Sequence, residues 1–245
     1  MNDAALTPSE RSGIIRDSLA VGLATGAYGI GFGAVSVAAG LSVAQTCVLS
    51  LLMFTGASQF ALIGVVAAGG APMSGAATAL LLGTRNTLYG LKMAPILGWR
   101  GWRRFTAAHV LIDESTAMSV NRDTTDAARL GFLTTGWSVF VLWNLATAAG
   151  ALAGEAVGDP RTFGLDAAVG AAFLALLWPR LNDRRNVLVA VLAAAVALSV
   201  VPVTAPGVPV LAAGGVALLV GVLARRPDAP ATPAPDPDDA AGGRR

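Results

Sequence analysis

Residues 80–95, "LLLGTRNTLYGLKMAP", place an arginine and a lysine inside an apolar run that otherwise has the character of a membrane segment. Three leucines open the run, and apolar residues resume after Lys92. A charge at the centre of a membrane helix costs about 2.5–3.5 kcal/mol on the insertion scale. Arg85 and Lys92 would therefore cost on the order of 5–7 kcal/mol if both were central. The segment requires polar partners or a water-filled cavity.

The composition of the whole chain places it in a lipid bilayer. Of its 245 residues, 54% are hydrophobic and only 13% are charged, whereas a soluble domain carries about 25% charged residues. The mean hydropathy is +0.64. Charges cluster between apolar runs, several of which reach the roughly 20 residues that a membrane span needs. The sequence predicts an all-α, polytopic integral membrane protein with about seven (six to eight) transmembrane helices, some of them broken or re-entrant in the first half.

A single permease domain is expected over residues 18–224. A cytoplasmic N-terminal segment, residues 1–17, precedes it. The tail, residues 225–245, is rich in proline, alanine and acidic residues, and we expect it to be disordered because it cannot bury apolar surface. The predicted spans, in chain order, are Leu19–Gly40, Ala44–Gly69, Ser74–Leu97, Leu130–Gly154, Phe163–Pro179, Asn186–Val203 and Val208–Leu223.

The basic residues follow the positive-inside pattern of membrane proteins. The net charge is +2 and the pI is about 9.2, but lysine and arginine lie in short loops beside apolar runs and no nucleic-acid-binding motif appears. We therefore expect no nucleic-acid partner. Cys47 and His109 are the only residues of their types, so we expect no disulfide framework, no metal site and no cofactor.

The same rule constrains the topology. Both termini and the loop 122–129 are predicted to be cytoplasmic, so an even number of crossings must lie between residues 17 and 122. In one solution, residues 105–120 form a short crossing, which leaves the arginines of 100–104 outside. In the other, one broken segment is re-entrant and residues 105–120 lie in, or dip into, the cytoplasmic interface.

Polar residues inside the third predicted span form a stripe. Arg85, Tyr89 and Lys92 are spaced i, i+4 and i+7 and so share one helix face, while Asn86 is offset by about 100°. Such a stripe is typical of a helix that lines a polar path. Alternatively, Arg85 and Lys92 extend toward opposite interfaces.

The motif "FTGASQF", residues 54–60, is a second group of polar residues within an apolar run. Gly56 and Ser58 favour a break in the helix, and Gln59 supplies hydrogen-bond donors and acceptors. Broken membrane helices expose backbone groups that bind substrate in transporters, although tight packing with Gln59 as a bridge is the alternative. "GAS" also resembles the start of an intramembrane serine protease motif. It lacks the final glycine, and His109 is the only candidate base, so we expect no enzyme.

Three carboxylates complete the set of polar intramembrane residues. Asp113 and Glu114 can carry protons or pair with Arg85 or Lys92; a solvated face of an interfacial helix is the alternative. Asp166, in "FGLDAAVG", can act in the same way or simply favour the start of its helix through the dipole.

Taken in order, the segments that contain these polar residues resemble those of the AzlC family of branched-chain amino acid exporter subunits. The resemblance covers roughly residues 15–225 and rests on "GFGAVSVAAGLS" (31–42), "FTGASQFA" (54–61), "TRNTLYGLKMAP" (84–95), "LIDES" (111–115) and "FGLDAAVGAAFLALLWP" (163–179). It implies a permease of the bacterial inner membrane that exports branched-chain amino acids or analogues together with a small, hydrophobic AzlD-like subunit. Many members carry a histidine where this chain has Asn86, so a proton role at that position is not transferred.

The leading hypothesis is therefore a proton-coupled secondary transporter of a small zwitterion. Backbone N–H groups near residues 56–59 and Arg85 would hold the carboxylate, and Asn86 and Tyr89 would orient it. Asp166 or Glu114 would face the ammonium group or carry the coupling proton. No GxxxxGK[ST] motif for nucleotide binding is present. The alternative is a non-transporting scaffold or regulatory subunit, with the glycine-rich first span as its interface.

Overall fold

The computed structural model describes residues 6–157, 174, 177–178, 181–205 and 207–223. These residues form helices and no strand, which confirms the predicted all-α class. The helices are α1 (Pro8–Ala38), α2 (Val43–Leu52), α3 (Ala57–Ala67), α4 (Pro72–Leu97), α5 (Trp102–His109), α6 (Asp113–Val120), α7 (Thr125–Val157), α8 (Arg184–Val200) and α9 (Val208–Leu223). Asp166, the tail and nearly all of the predicted span 163–179 lie outside the described residues.

Three described helical stretches are long and apolar enough to cross a membrane: Pro8–Ala38, Thr125–Ala156 and Arg184–Val203. The first begins eleven residues ahead of the predicted span at Leu19. Thr7 and Glu10 explain the early start, because each side chain accepts a hydrogen bond from the other's backbone N–H, at 3.3 and 2.9 Å. This reciprocal cap, followed by Pro8, satisfies N–H groups that a helix start otherwise leaves free.

Helices α1 and α7 pack together along a stripe of glycines. Gly22 faces Ser138, Gly26 faces Leu142 and Gly33 faces Thr147, each so closely that an added methyl group would overlap its neighbour. Small residues allow this approach, as is common between membrane helices. Since the contacts advance in the same direction along both helices, α1 and α7 are parallel and begin at the same end of the bundle.

Helix α4 runs the other way and ends where α7 begins. The guanidinium of Arg129 donates hydrogen bonds of 2.9 and 2.8 Å to the carbonyl of Leu97. We call this the basic end, because it carries the arginines near the starts of α1, α5 and α7: Arg11, Arg16, Arg100, Arg103, Arg104, Arg122 and Arg129. The opposite end is called the far end.

Helices α2 and α3 form a re-entrant hairpin that enters from the far end. Ser50 lies beside Thr147, and Phe54 packs against Phe140, an earlier residue of α7, so α2 runs toward the basic end. Helix α3 turns back, because its first turn (Ser58) lies against Gly83 of α4 and its later residue Leu62 against Gly75. With 10 and 11 residues, each arm is about 15 Å long. Each therefore reaches about halfway through a hydrocarbon core of roughly 30 Å.

Helices α5 and α6 form a second re-entrant hairpin, which enters from the basic end. The hairpin ascends to His109, whose ring lies 5.2 Å from that of Phe140. It then returns, and Ser119 Oγ donates a 2.7 Å hydrogen bond to the carbonyl of Ala128 near the start of α7. Residues 105–120 thus dip in from the basic end, the second of the two predicted solutions. The short crossing of residues 105–120 is wrong, because α5 and α6 begin and end at the basic end.

The break in each hairpin is stabilised by a side chain in the first turn of the following helix. Gly56 adopts φ 59°, which favours glycine, and its N–H donates a 3.0 Å hydrogen bond to Gln59 Oε1. At the second break, Ser115 Oγ accepts from the N–H of Ile112 at 3.0 Å and donates to the carbonyl of Val110 at 2.8 Å. The predicted break at "FTGASQF" is confirmed.

Helices α8 and α9 pair with each other, and the start of α9 lies against both α3 and α4. Gly207 and Gly214 lie against Ser74 and Leu81, so α9 descends beside α4 toward the basic end. Neither helix contributes a buried residue, and beyond the first turn of α8 their exposed surface is apolar, as expected of lipid-facing helices.

Candidate functional site

The tips of the two hairpins meet in the middle of the bundle, and a cavity of about 310 Å³ lies between them. The rings of Phe54 and His109, one from each tip, are 6.5 Å apart. This volume is at the lower end of the range for small-molecule sites. Helices α1, α4 and α7 and the residue Leu177 complete the wall. Its lining residues are Thr25, Tyr28, Phe54, Thr55, Gly56, Ala57, Phe60, Leu82, Arg85, Ile112, Asp113, Glu114, Val139, Trp143 and Leu177.

Arg85 forms an ion pair with Asp113 at the edge of this cavity. The distance from Nη1 to Oδ2 is 3.0 Å, and the side chains are 31% and 26% exposed. Asp113 is the first residue of α6, where the helix dipole also stabilises a carboxylate. The ion pair supplies the polar partner that the insertion cost of Arg85 requires.

The two helix starts at the cavity differ in charge. The first turn of α6 carries two carboxylates, Asp113 and Glu114, and both line the cavity. The first turn of α3 carries no acid, so its N–H groups, which have no partner within the helix, keep their partial positive charge. One side of the cavity therefore favours an anionic group and the other a cationic group.

Between these poles the wall is apolar and aromatic. Phe32 lies behind it and stacks on Trp143 at 6.1 Å, while Phe60 meets Trp143 edge-on at 6.3 Å. Trp143 is 4% exposed, and its indole Nε1–H has no hydrogen-bond partner among the described residues. Buried tryptophan N–H groups usually find a partner, and this one has none in the described part of the chain although the Trp143 ring lines the cavity.

Trp143 is not among the site residues predicted from the sequence. One signal was present, because the residue lies at the centre of the predicted span Leu130–Gly154. Tryptophan in membrane proteins is enriched at the two interfaces instead.

The remaining predicted site residues are only partly brought together. Gly56 lines the cavity, whereas Ser58 and Gln59 are buried behind it, 2% and 0% exposed, with Gln59 capping its own helix. Asn86 Nδ2 donates a 3.3 Å hydrogen bond to the carbonyl of Leu111 and so ties α4 to the second tip.

Tyr89 and Lys92 are not among the described residues that line the cavity. Tyr89 is half-buried and Lys92 is exposed on the basic-end half of α4. The three-residue stripe therefore does not line one path, because the cavity reaches along α4 only as far as Arg85. Asp166 cannot be placed, since it lies outside the described residues.

Comparison with known protein families identifies the family of this chain. The sequence profile of the family described as AzlC protein matches residues 20–157, more than half of the chain and all of α2–α7. The chain is also 34% identical over 170 residues to a protein of Archaeoglobus fulgidus described as an uncharacterized membrane protein. That alignment covers 69% of this chain and 74% of the relative. No solved structure matches. The chain is therefore a membrane protein that belongs to the AzlC family.

Proposed function

We propose that this protein is a secondary transporter that exports branched-chain amino acids or similar small zwitterions. The observation that carries the proposal is the cavity between the hairpin tips, which has an acidic pole, an acid-free helix start and an apolar wall. A zwitterion with a short aliphatic side chain complements all three features.

In the proposed complex, the substrate carboxylate lies at the start of α3. The backbone N–H groups at Ala57 and its neighbours, with Arg85 alongside, provide donors for it. The ammonium group faces Asp113 and Glu114. The side chain packs against the aromatic wall formed by Phe54, Phe60 and Trp143.

Coupling to protons would act through the same carboxylates. A proton on Asp113 or Glu114 weakens the attraction of that carboxyl group for Arg85 and for the substrate ammonium group. Proton binding and substrate release are therefore linked. The two hairpins enter from opposite ends, and each is well placed to close the cavity on its own side. Such opposed elements suit alternating access.

The proposed cellular arrangement follows the positive-inside rule. We place the protein in the bacterial inner membrane with the basic end, and hence both termini, in the cytoplasm. A small, hydrophobic AzlD-like subunit is the expected partner. A purely scaffolding role has less support, because the glycine stripe that would serve as its interface is already occupied by α7.

Counterflow in vesicles tests the transport proposal. The chain is reconstituted with and without its small partner, loaded with leucine, and given external radiolabelled leucine, isoleucine, valine, lysine or glutamate. We expect uptake of the apolar zwitterions, stimulated by a pH gradient, and little uptake of lysine or glutamate. Absence of flux with both subunits present would reject the transporter and favour the scaffold.

A further inference from the structure

A second cavity, of about 300 Å³, lies between α4 and α5 on the basic-end half of the bundle. It shares no lining residue with the cavity at the hairpin tips. Its wall is apolar except for Thr87 at the inner end and Arg104 at the basic end. We call it the α4–α5 slot. The proposed transport function does not use it.

The slot has the depth of one membrane leaflet. Along α4 its lining extends from Thr87 to Leu97, which corresponds to about 15 Å of helix. Half of a hydrocarbon core is also about 15 Å thick. The slot thus runs from the hairpin-tip level, at the middle of the bundle, to the basic end.

Small residues keep the slot open. Gly90 faces Leu111 across it, and a methyl group at Gly90 would already come within 3.5 Å of the Leu111 side chain. Ala94 and Ala108 line it from the two helices and are exposed. A linear hydrocarbon chain can therefore lie between α4 and α5 without displacing a core side chain.

The mouth of the slot is strongly basic and aromatic. Arg100, Arg103 and Arg104 are exposed there, and no acidic residue occurs between 93 and 112. Trp102 and Phe105 are 78% and 72% exposed. Aromatic side chains with this exposure favour the membrane interface, and clustered arginines beside them attract anionic headgroups.

We propose that the α4–α5 slot binds one anionic phospholipid. Arg103 and Arg104 hold the headgroup phosphate, and one acyl chain occupies the slot between Gly90 and Trp99. Charge complementarity and the leaflet-deep apolar wall identify this occupant. The lipid joins α5 to α4 at the base of the second re-entrant hairpin.

Native mass spectrometry of the purified full chain tests the proposal, with phosphatidylglycerol and phosphatidylcholine of identical acyl chains as probes. We expect a one-to-one phosphatidylglycerol adduct that outlasts any phosphatidylcholine adduct during detergent removal. The double variant Arg103→Gln, Arg104→Gln should weaken it roughly tenfold or more. Ala94→Trp, which fills the slot and leaves the arginines intact, should abolish it.

Two controls separate this site from general surface attraction. Arg11→Gln with Arg184→Gln removes the same total charge at exposed positions of the basic end, and Ala149→Trp places the same side chain on an exposed face of α7. Both should retain the adduct. Equal adducts with the two lipids, or an adduct that survives Ala94→Trp, would overturn the proposal, as would a peptide found bound in place of lipid.

Discussion

Arg85 of α4 and Asp113 of α6 form a 3.0 Å ion pair at the point where the two re-entrant hairpins meet. The pair connects a continuous helix to the start of a half-helix, beside the cavity that both hairpins line. It neutralises a charge that would otherwise be costly at this depth. Because only Nη1 of the guanidinium bonds to Asp113 in this pair, other donors of Arg85 are available for a substrate carboxylate.

Removal of Arg85 should lower both stability and transport. Arg85→Ala removes the cation of the ion pair with Asp113, which costs about 3–5 kcal/mol for a fully buried pair. We expect less here, because each side chain keeps at least a quarter of its surface exposed. Thermal unfolding in detergent measures the first effect and counterflow in vesicles the second.

The exchange Arg85→Asp with Asp113→Arg separates pairing from substrate binding. The reversed pair should recover much of the thermal stability lost in Arg85→Ala, since the attraction is restored. Transport should remain lost, because the cation no longer lies on α4 beside the start of α3. Full recovery of transport by the exchange would show that Arg85 serves only as the structural partner of Asp113.

The re-entrant topology predicts which loops share a side of the membrane. In a background with Cys47→Ser, single cysteines at Ala44 and Ala71 should react with a membrane-impermeant maleimide from one side. Those at Arg100 and Asp123 should react from the other, because α5 and α6 return to the end they started from. If Ala44→Cys and Ala71→Cys label from opposite sides, α2 and α3 cross the membrane and the hairpin is refuted.

The sequence predicted the membrane class, the break at residues 54–60 and the need for a partner of Arg85, because each depends on local composition or on a single large energy. It left open whether Asp113 or Glu114 pairs with Arg85 or with Lys92, since that choice depends on how α6 folds back onto α4. It also placed Tyr89 and Lys92 with Arg85, because helical spacing alone does not show that the cavity reaches along α4 only as far as Arg85. The parallel pairing of α1 with α7 needed contacts across more than 100 residues, which no local pattern contains.

The α1–α7 contact should be sensitive to a single methyl group. In Gly33→Ala, the new Cβ would overlap the carbonyl oxygen of Thr147 and approach the backbone nitrogen of Ala151 to 2.6 Å. Overpacking of this kind costs about 1–3 kcal/mol. Gly31→Ala is the matched control, because it lies on the same helix and meets nothing within 4 Å. Thermal unfolding in detergent should show a lower midpoint for Gly33→Ala alone, and equal midpoints would refute the close packing.

Trp143 should contribute to substrate affinity through its indole N–H. Trp143→Phe keeps an aromatic ring against Phe32 and Phe60 but removes the buried donor, which has no protein partner in the described part of the chain. A hydrogen bond to a charged group contributes about 1.5–3 kcal/mol. We therefore expect the KM for leucine to rise by roughly tenfold or more, with little change in thermal stability.

Trp137→Phe is the control, since that residue is 40% exposed on the same helix and away from the cavity. An unchanged KM in Trp143→Phe would show that the indole N–H does not touch the substrate. A lowered unfolding midpoint with unchanged KM would assign Trp143 to packing alone.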